Sequence, residues 1–136
     1  MPGARIGLKR VYEPPSAADG ARVLVERLWP RGLKRADAAV DRWLKDVAPS
    51  HELRRWYGHD PARWEEFRAR YRAELEARPE ALLPLRELAA RGPVTLVFAA
   101  RDEARNSAVV LRELLEGGAV PRPKRGAMAR PSEGER

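Results

Sequence analysis

The sequence predicts a small single-domain α/β protein, a mostly parallel sheet of few strands with helices packed on it. Three observations carry that expectation. Arg22 to Leu28 alternates as a strand yet is apolar on both faces at its centre; Val94 to Ala99 is a continuous apolar run; and amphipathic helical stretches flank that run. A strand covered on both faces belongs to a layered sheet, and the order helix, buried strand, helix implies right-handed crossovers. At 136 residues the chain suits one domain, which we expect over residues 1–118, with 119–136 as a basic disordered tail whose Pro, Gly, Arg and Glu composition has nothing to bury.

Each element follows from local signals. Arg5 to Val11 reads as the first strand, followed by the loop Glu13-Pro14-Pro15-Ser16 and a turn at Asp19-Gly20. In the second strand Val23, Val25 and Arg27 share one face, and Leu24, Glu26 and Leu28 the other. Ala36 to Leu44 fits either a short helix or an extended segment. Pro49-Ser50 then breaks the chain, with Ser50 placed as the N-cap of a short helix that runs to Tyr57 and is closed by Gly58. Asp60 caps the next helix with Pro61 at its first position, and Trp64, Phe67, Tyr71 and Leu75 form one apolar stripe at spacings of three and four. Leu82, Leu85, Leu88 and Ala89 outline a further helix that must bend or start late, because Pro84 is strained in a helix interior; Gly92-Pro93 ends it. A last helix carries Ala108, Leu111, Leu114 and Leu115 to Gly117-Gly118.

Composition narrows the chemistry. Cysteine is absent, which removes disulfides, thiolate metal sites and cysteine nucleophiles and suits a reducing compartment. The N-terminus lacks a signal-peptide core and the longest apolar stretch, Val94 to Ala100, is far too short to span a bilayer, so a cytoplasmic protein with no membrane partner is expected. The net charge is +7, of which the tail from Gly117, with five basic and two acidic residues, contributes +3 and the remainder +4. His51 and His59 are the only histidines, and no carboxylate spacing around them imitates a metal triad. Gly-x-Ser-x-Gly, Walker-type and Gly-x-Gly-x-x-Gly motifs are all missing, so no metal and no cofactor is implied.

Ligands of open α/β sheets bind beyond the carboxyl ends of the strands, where backbone N–H groups of a following helix point outward. Two strand ends qualify. Trp29-Pro30-Arg31-Gly32 has the residues of a type I turn, and Asp102 stands where it can cap the last helix, leaving Arg101, Asn106 and Ser107 near its N-terminus. If the strands are parallel, both clusters share one rim, and Arg27, Trp29, Arg31, Arg101, Asp102 and Asn106 become a candidate site for a phosphate, nucleotide or carboxylate. Asp102 and Asn106 are the candidates for any catalytic duty. Structural readings compete: Asp102 purely as a cap, Arg27 paired with Asp102 or Glu26, Trp29 as a packing anchor. Arg31 has no evident structural employment. The alternative function is nucleic-acid binding through the basic surface and tail, with Trp43, Trp56 and Trp64 lying among Arg42, Lys45, Arg54, Arg55 and Arg63.

Lys9-Arg10-Val11-Tyr12, Arg22-Val23-Leu24-Val25, Arg27-Leu28-Trp29-Pro30-Arg31-Gly32, Trp43-Leu44-Lys45, Trp56-Tyr57-Gly58-His59 and Ala99-Ala100-Arg101-Asp102 to Asn106 together resemble the bacterial YeaO-like family, a domain of unknown function, over roughly residues 5 to 116. The resemblance implies an α/β fold and a cytoplasmic bacterial protein, and no substrate. Members of that family often carry histidine before the asparagine matching Asn106, where this chain has Arg105. If that histidine transfers a proton in the family, the departure at Arg105 puts such an activity in doubt here.

Overall fold

The computed structural model describes residues 6–117; the expected tail lies outside them. Four strands, β1 (Ile6–Arg10), β2 (Ala21–Leu24), β3 (Arg42–Trp43) and β4 (Val94–Phe98), form one sheet in the order β1-β4-β2-β3. Every pairing is parallel, with Ile6 opposite Val94, Val23 opposite Leu96 and Val23 also opposite Arg42. The α/β expectation holds. β4 is buried at every position, as a central strand covered on both faces must be.

The two faces are unequally covered. On the thick face, α2 (His51–Tyr57), α3 (Trp64–Ala77), α4 (Leu83–Arg91) and α5 (Ser107–Gly117) bury Val23, Val25, Leu96 and Phe98. On the thin face, among the described residues, only α1 (Arg35–Ala38) and adjoining loops cover Val11, Leu24 and Val97. The expected stripe Trp64, Phe67, Tyr71 and Leu75 packs in the thick-face core, its last three members buried. Pro84 falls in the first turn of α4, preceded by a 3₁₀ turn at Pro79–Leu82, where its missing N–H costs no helical bond.

Two expectations change. The second strand stops at Leu24, with one more ladder bond from Val25 N–H to the Val97 carbonyl (3.3 Å), because the chain then bends at Arg27 and Leu28 and leaves the sheet. The ambiguous segment Ala36 to Leu44 resolves into both alternatives, α1 followed by the two-residue edge strand β3.

Beneath the thin face, the Asp19 carboxylate collects five bonds, Lys9 reaching both of its oxygens. Arg22 Nη1 donates at 2.8 Å, Lys9 Nζ at 3.1 Å, the Ser16 N–H at 3.0 Å and Ser16 Oγ at 3.2 Å. Arg22 is itself buried, and its remaining donors reach the carbonyls of Ala39, Ala38, Glu13 and Val11. Burial opposes ionisation of Asp19, but the bonds from Arg22, Ser16 and Lys9 outweigh it and hold the carboxyl well below the usual carboxylate range. The neighbouring Gly20 has φ +64°, and a Cβ there would lie 2.2 Å from the Pro93 carbonyl oxygen, so glycine is required.

Candidate functional site

Because β2 and β4 are adjacent and parallel, the segments leaving Val25 and Phe98 emerge side by side on one rim. The rim is held by side chains from neighbouring strands. Glu26 Oε2 accepts from the Ala99 N–H at 3.0 Å, while the Glu26 carbonyl accepts from Trp43 Nε1 at 2.6 Å. From β1, Arg10 donates through Nε to the Ala100 carbonyl (3.0 Å) and through Nη2 to that of Ala99 (3.1 Å). Its guanidinium also lies 4.9 Å from the Tyr12 ring centroid, and Tyr12 in turn donates its hydroxyl to the Arg31 carbonyl at 3.2 Å. The segments following β1, β2 and β4 are thus tied into one framework.

On the thick-face side of this rim lies a cavity of about 460 Å³, within the range of roughly 300–1,000 Å³ occupied by small-molecule sites. Glu26 and Leu28 contribute from the end of β2, Ala99 and Ala100 from the end of β4, and Asn106 and Ser107 from the start of α5. Helix α2 supplies His51, Arg54 and Arg55, which share a face at spacings of three and four, and Tyr57, with Pro49 before it, His59 after it and Phe67 from α3.

That wall is anchored from several directions. Ser50 Oγ accepts from the Leu53 N–H at 3.2 Å as the expected N-cap of α2, and Glu74 of α3 accepts from the Ser50 N–H (2.9 Å) and hydroxyl (2.6 Å). At the other end, Gly58 (φ +53°) and His59 (φ +57°) are both left-handed, a conformation that costs a non-glycine residue about 1–2 kcal/mol. It sets the His59 ring 5.9 Å from that of Tyr57, which stacks on Phe67 at 4.3 Å. Tyr57 donates its hydroxyl to the Arg105 carbonyl at 2.9 Å, and burial, reinforced by the charge of Asp102, pushes its pKa up.

Among the described residues, the side chains of His51, Arg54, Arg55 and His59 have neither a carboxylate nor a hydrogen-bond partner. Among the described residues, Glu26 is the one carboxylate in the lining. The described lining thus sets two arginines and two histidines against a single carboxylate.

Residues 5–131 match the family model described as the inactive DUF488-N3 subclade. The chain belongs to that family. The DUF488-N3 domain is also 50% identical over 113 residues to the uncharacterised protein Rv3073c of Mycobacterium tuberculosis, covering 83% of this chain and 95% of that one. It is 41% identical over 110 residues to the uncharacterised protein YeaO of Escherichia coli, covering 81% and 96% respectively. The YeaO-like resemblance is thereby established. No solved structure matches significantly.

Of the rim residues expected from the sequence, Asn106 lines the cavity. Arg27 is half-buried; its Nη2 donates to the Ala48 carbonyl at 3.3 Å and its Nε is buried without a partner, so the anticipated pairing with Asp102 or Glu26 does not form. Trp29 packs edge-on against Trp43 at 5.4 Å on the thin face, donates to the Leu33 carbonyl at 2.6 Å and is covered by the Arg35 guanidinium at 4.4 Å. The chain crosses the rim between Leu28 and Trp29, which separates Trp29 from the cavity. Arg31 and Arg101 are exposed on the flanking loops.

The cap of α5 needs correcting. Asn106, not Asp102, is the N-cap: its Oδ1 accepts from the Val109 N–H at 3.2 Å and its Nδ2 donates to the Asp102 carbonyl at 2.9 Å. Asp102 instead closes the preceding turn, accepting from the N–H groups of Ala104 (3.0 Å) and Arg105 (3.1 Å) and from Arg105 Nη1 (3.3 Å). The Ala104 N–H leads the contacts that hold its carboxyl below the usual range. Sequence reading missed Glu26, His51, Arg54, Arg55 and His59 as a group. The available signal was the three-and-four spacing of His51, Arg54 and Arg55 behind an N-cap, but which helix face meets the rim is a tertiary fact.

Proposed function

We propose that this DUF488-N3 domain binds a small molecule carrying a phosphate or carboxylate in the rim cavity, and that its role is binding rather than turnover. The observation that carries the reading is the unpaired pair Arg54 and Arg55, with His51 and His59, facing a cavity at the carboxyl ends of parallel strands. Arg27, Arg31 and Arg101 add positive charge around the same rim and draw anions toward it. Asn106 forms part of the wall beside the N-terminus of α5. Two facts favour binding without catalysis. The family is described as inactive, and the polar atoms of Asp102 and Asn106, the candidate catalytic residues, are engaged in turn and cap bonds.

Nucleic-acid binding draws less support. Stacking needs open aromatic faces, yet Arg63 and Arg70 cover Trp56 at 5.3 and 4.6 Å, and Lys45 covers Trp43 at 4.2 Å. Thermal unfolding against inorganic phosphate, sugar phosphates, dicarboxylates, nucleotides and short oligonucleotides tests both readings. A site saturated at a hundred times its dissociation constant adds about 2.7 kcal/mol. A stabilising shift from a small anion, lost in Arg54→Ala and Arg55→Ala, supports the cavity. A shift confined to oligonucleotides and erased by salt overturns it.

A further inference from the structure

We propose that the cavity selects an anion whose body also presents a hydrogen-bond donor, the chemistry of a nucleoside monophosphate, and that Glu26 reads the donor. The inference rests on the anion-binding reading above and adds the second half of the ligand. A carboxylate in the wall of an anion site is unfavourable to a bare anion, since like charges repel at short range. It becomes favourable when the ligand brings an N–H or O–H to meet it.

Glu26 is built for that task. Its backbone is pinned by Trp43 and its side chain by the Ala99 N–H, so the carboxylate has a fixed orientation. Only Oε2 is used. Oε1 has no partner among the described residues and is not a buried orphan, so it remains accessible in a side chain that lines the cavity. A residue serving only to hold the Ala99 peptide would need a single acceptor. The remaining lining is partly apolar, with Leu28, 68% exposed, and Pro49 beside the buried, mutually stacked Tyr57 and Phe67, and so suits a ligand with a body between its anionic and donor groups. The arginines of α2 then take the phosphate, while ribose hydroxyls or base amino groups face Glu26.

Isothermal titration of the full chain with inorganic phosphate, ribose 5-phosphate and the four common nucleoside monophosphates, at constant pH and ionic strength, tests this. Wild-type protein should bind at least one nucleoside monophosphate about ten- to a hundred-fold more tightly than inorganic phosphate, the worth of a charge-assisted hydrogen bond. Glu26→Gln keeps an acceptor for the Ala99 N–H but turns the free oxygen into an NH₂ donor. That substitution should remove most of the preference while leaving phosphate affinity equal or higher. Equal wild-type affinity for phosphate and every nucleoside monophosphate, a comparison that needs no variant, overturns the selectivity and leaves the anion site standing. An unchanged preference in Glu26→Gln overturns the role of Glu26. Ribose 5-phosphate matching the best nucleotide assigns the donor to the sugar and overturns the nucleoside body. No binding of any probe removes the anion reading and this inference together.

Discussion

The thin face and the rim handle the same residue types in opposite ways. At Asp19, a buried carboxylate is surrounded by Arg22, Lys9 and Ser16, and the buried guanidinium of Arg22 finds carbonyls for its other donors. At the cavity, Arg54, Arg55, His51 and His59 face open space with no carboxylate bonded to them among the described residues. A network closed on itself has nothing left to offer a ligand and can only hold the fold. An open one contributes little to stability and keeps its binding capacity for something else. Arginine content alone therefore says nothing of role; the count of satisfied donors does.

The sharpest way to break this contrast is to uncharge each region in turn. Asp19→Asn should lower the unfolding free energy by about 3–5 kcal/mol, because Arg22 is left as a buried, uncompensated charge. Urea titration reads this, and a loss below 1 kcal/mol would mean the thin-face cluster is as dispensable as a surface pair. Arg54→Ala and Arg55→Ala should each weaken a phosphate-bearing ligand by about ten-fold or more while moving stability by no more than about 0.5 kcal/mol. If either substitution unfolds the domain instead, the cavity arginines are structural and the contrast fails.

Acid sharpens it further. The folded Asp19 pKa is depressed, so its contribution is fully present above the ordinary carboxyl pKa near 4 and is lost as pH falls below that toward the folded value. The urea midpoint should hence decline as pH drops from about 5 to 2, with a shallower slope in Asp19→Asn. Next comes Ser50→Ala, which removes the α2 cap and its bond to Glu74 and should cost about 1 kcal/mol by thermal unfolding. Arg31→Ala should lie within about 0.5 kcal/mol of wild type, since its side chain is exposed.

Much of the fold was legible because it rests on short-range signals. The stripe from Trp64 to Leu75, the Ser50 cap, the Gly58 stop and the late start forced by Pro84 each involve residues within a turn or two of one another. β3 was legible only as the extended alternative for Ala36 to Leu44: two residues are too few for a period, and only pairing with β2 makes Arg42 and Trp43 a strand. The cap of α5 was misread for a related reason. Asp102 and Asn106 are both good caps, and the choice depends on how the chain leaves β4, where Glu26 and Arg10 grip the Ala99 and Ala100 peptides from other strands.

The sequence by itself determined the α/β class, the strand buried on both faces, the order of helices and the family, because periodicity, caps and motif strings are written along the chain. Only the tertiary structure decided the strand order, the shared rim and the cavity. Glu26, Arg54 and Asn106 lie far apart in sequence and meet because β2 and β4 are neighbours and α2 and α5 pack on the same face. Such proximity follows from burying all the apolar surfaces at once, a global condition that no local stretch encodes.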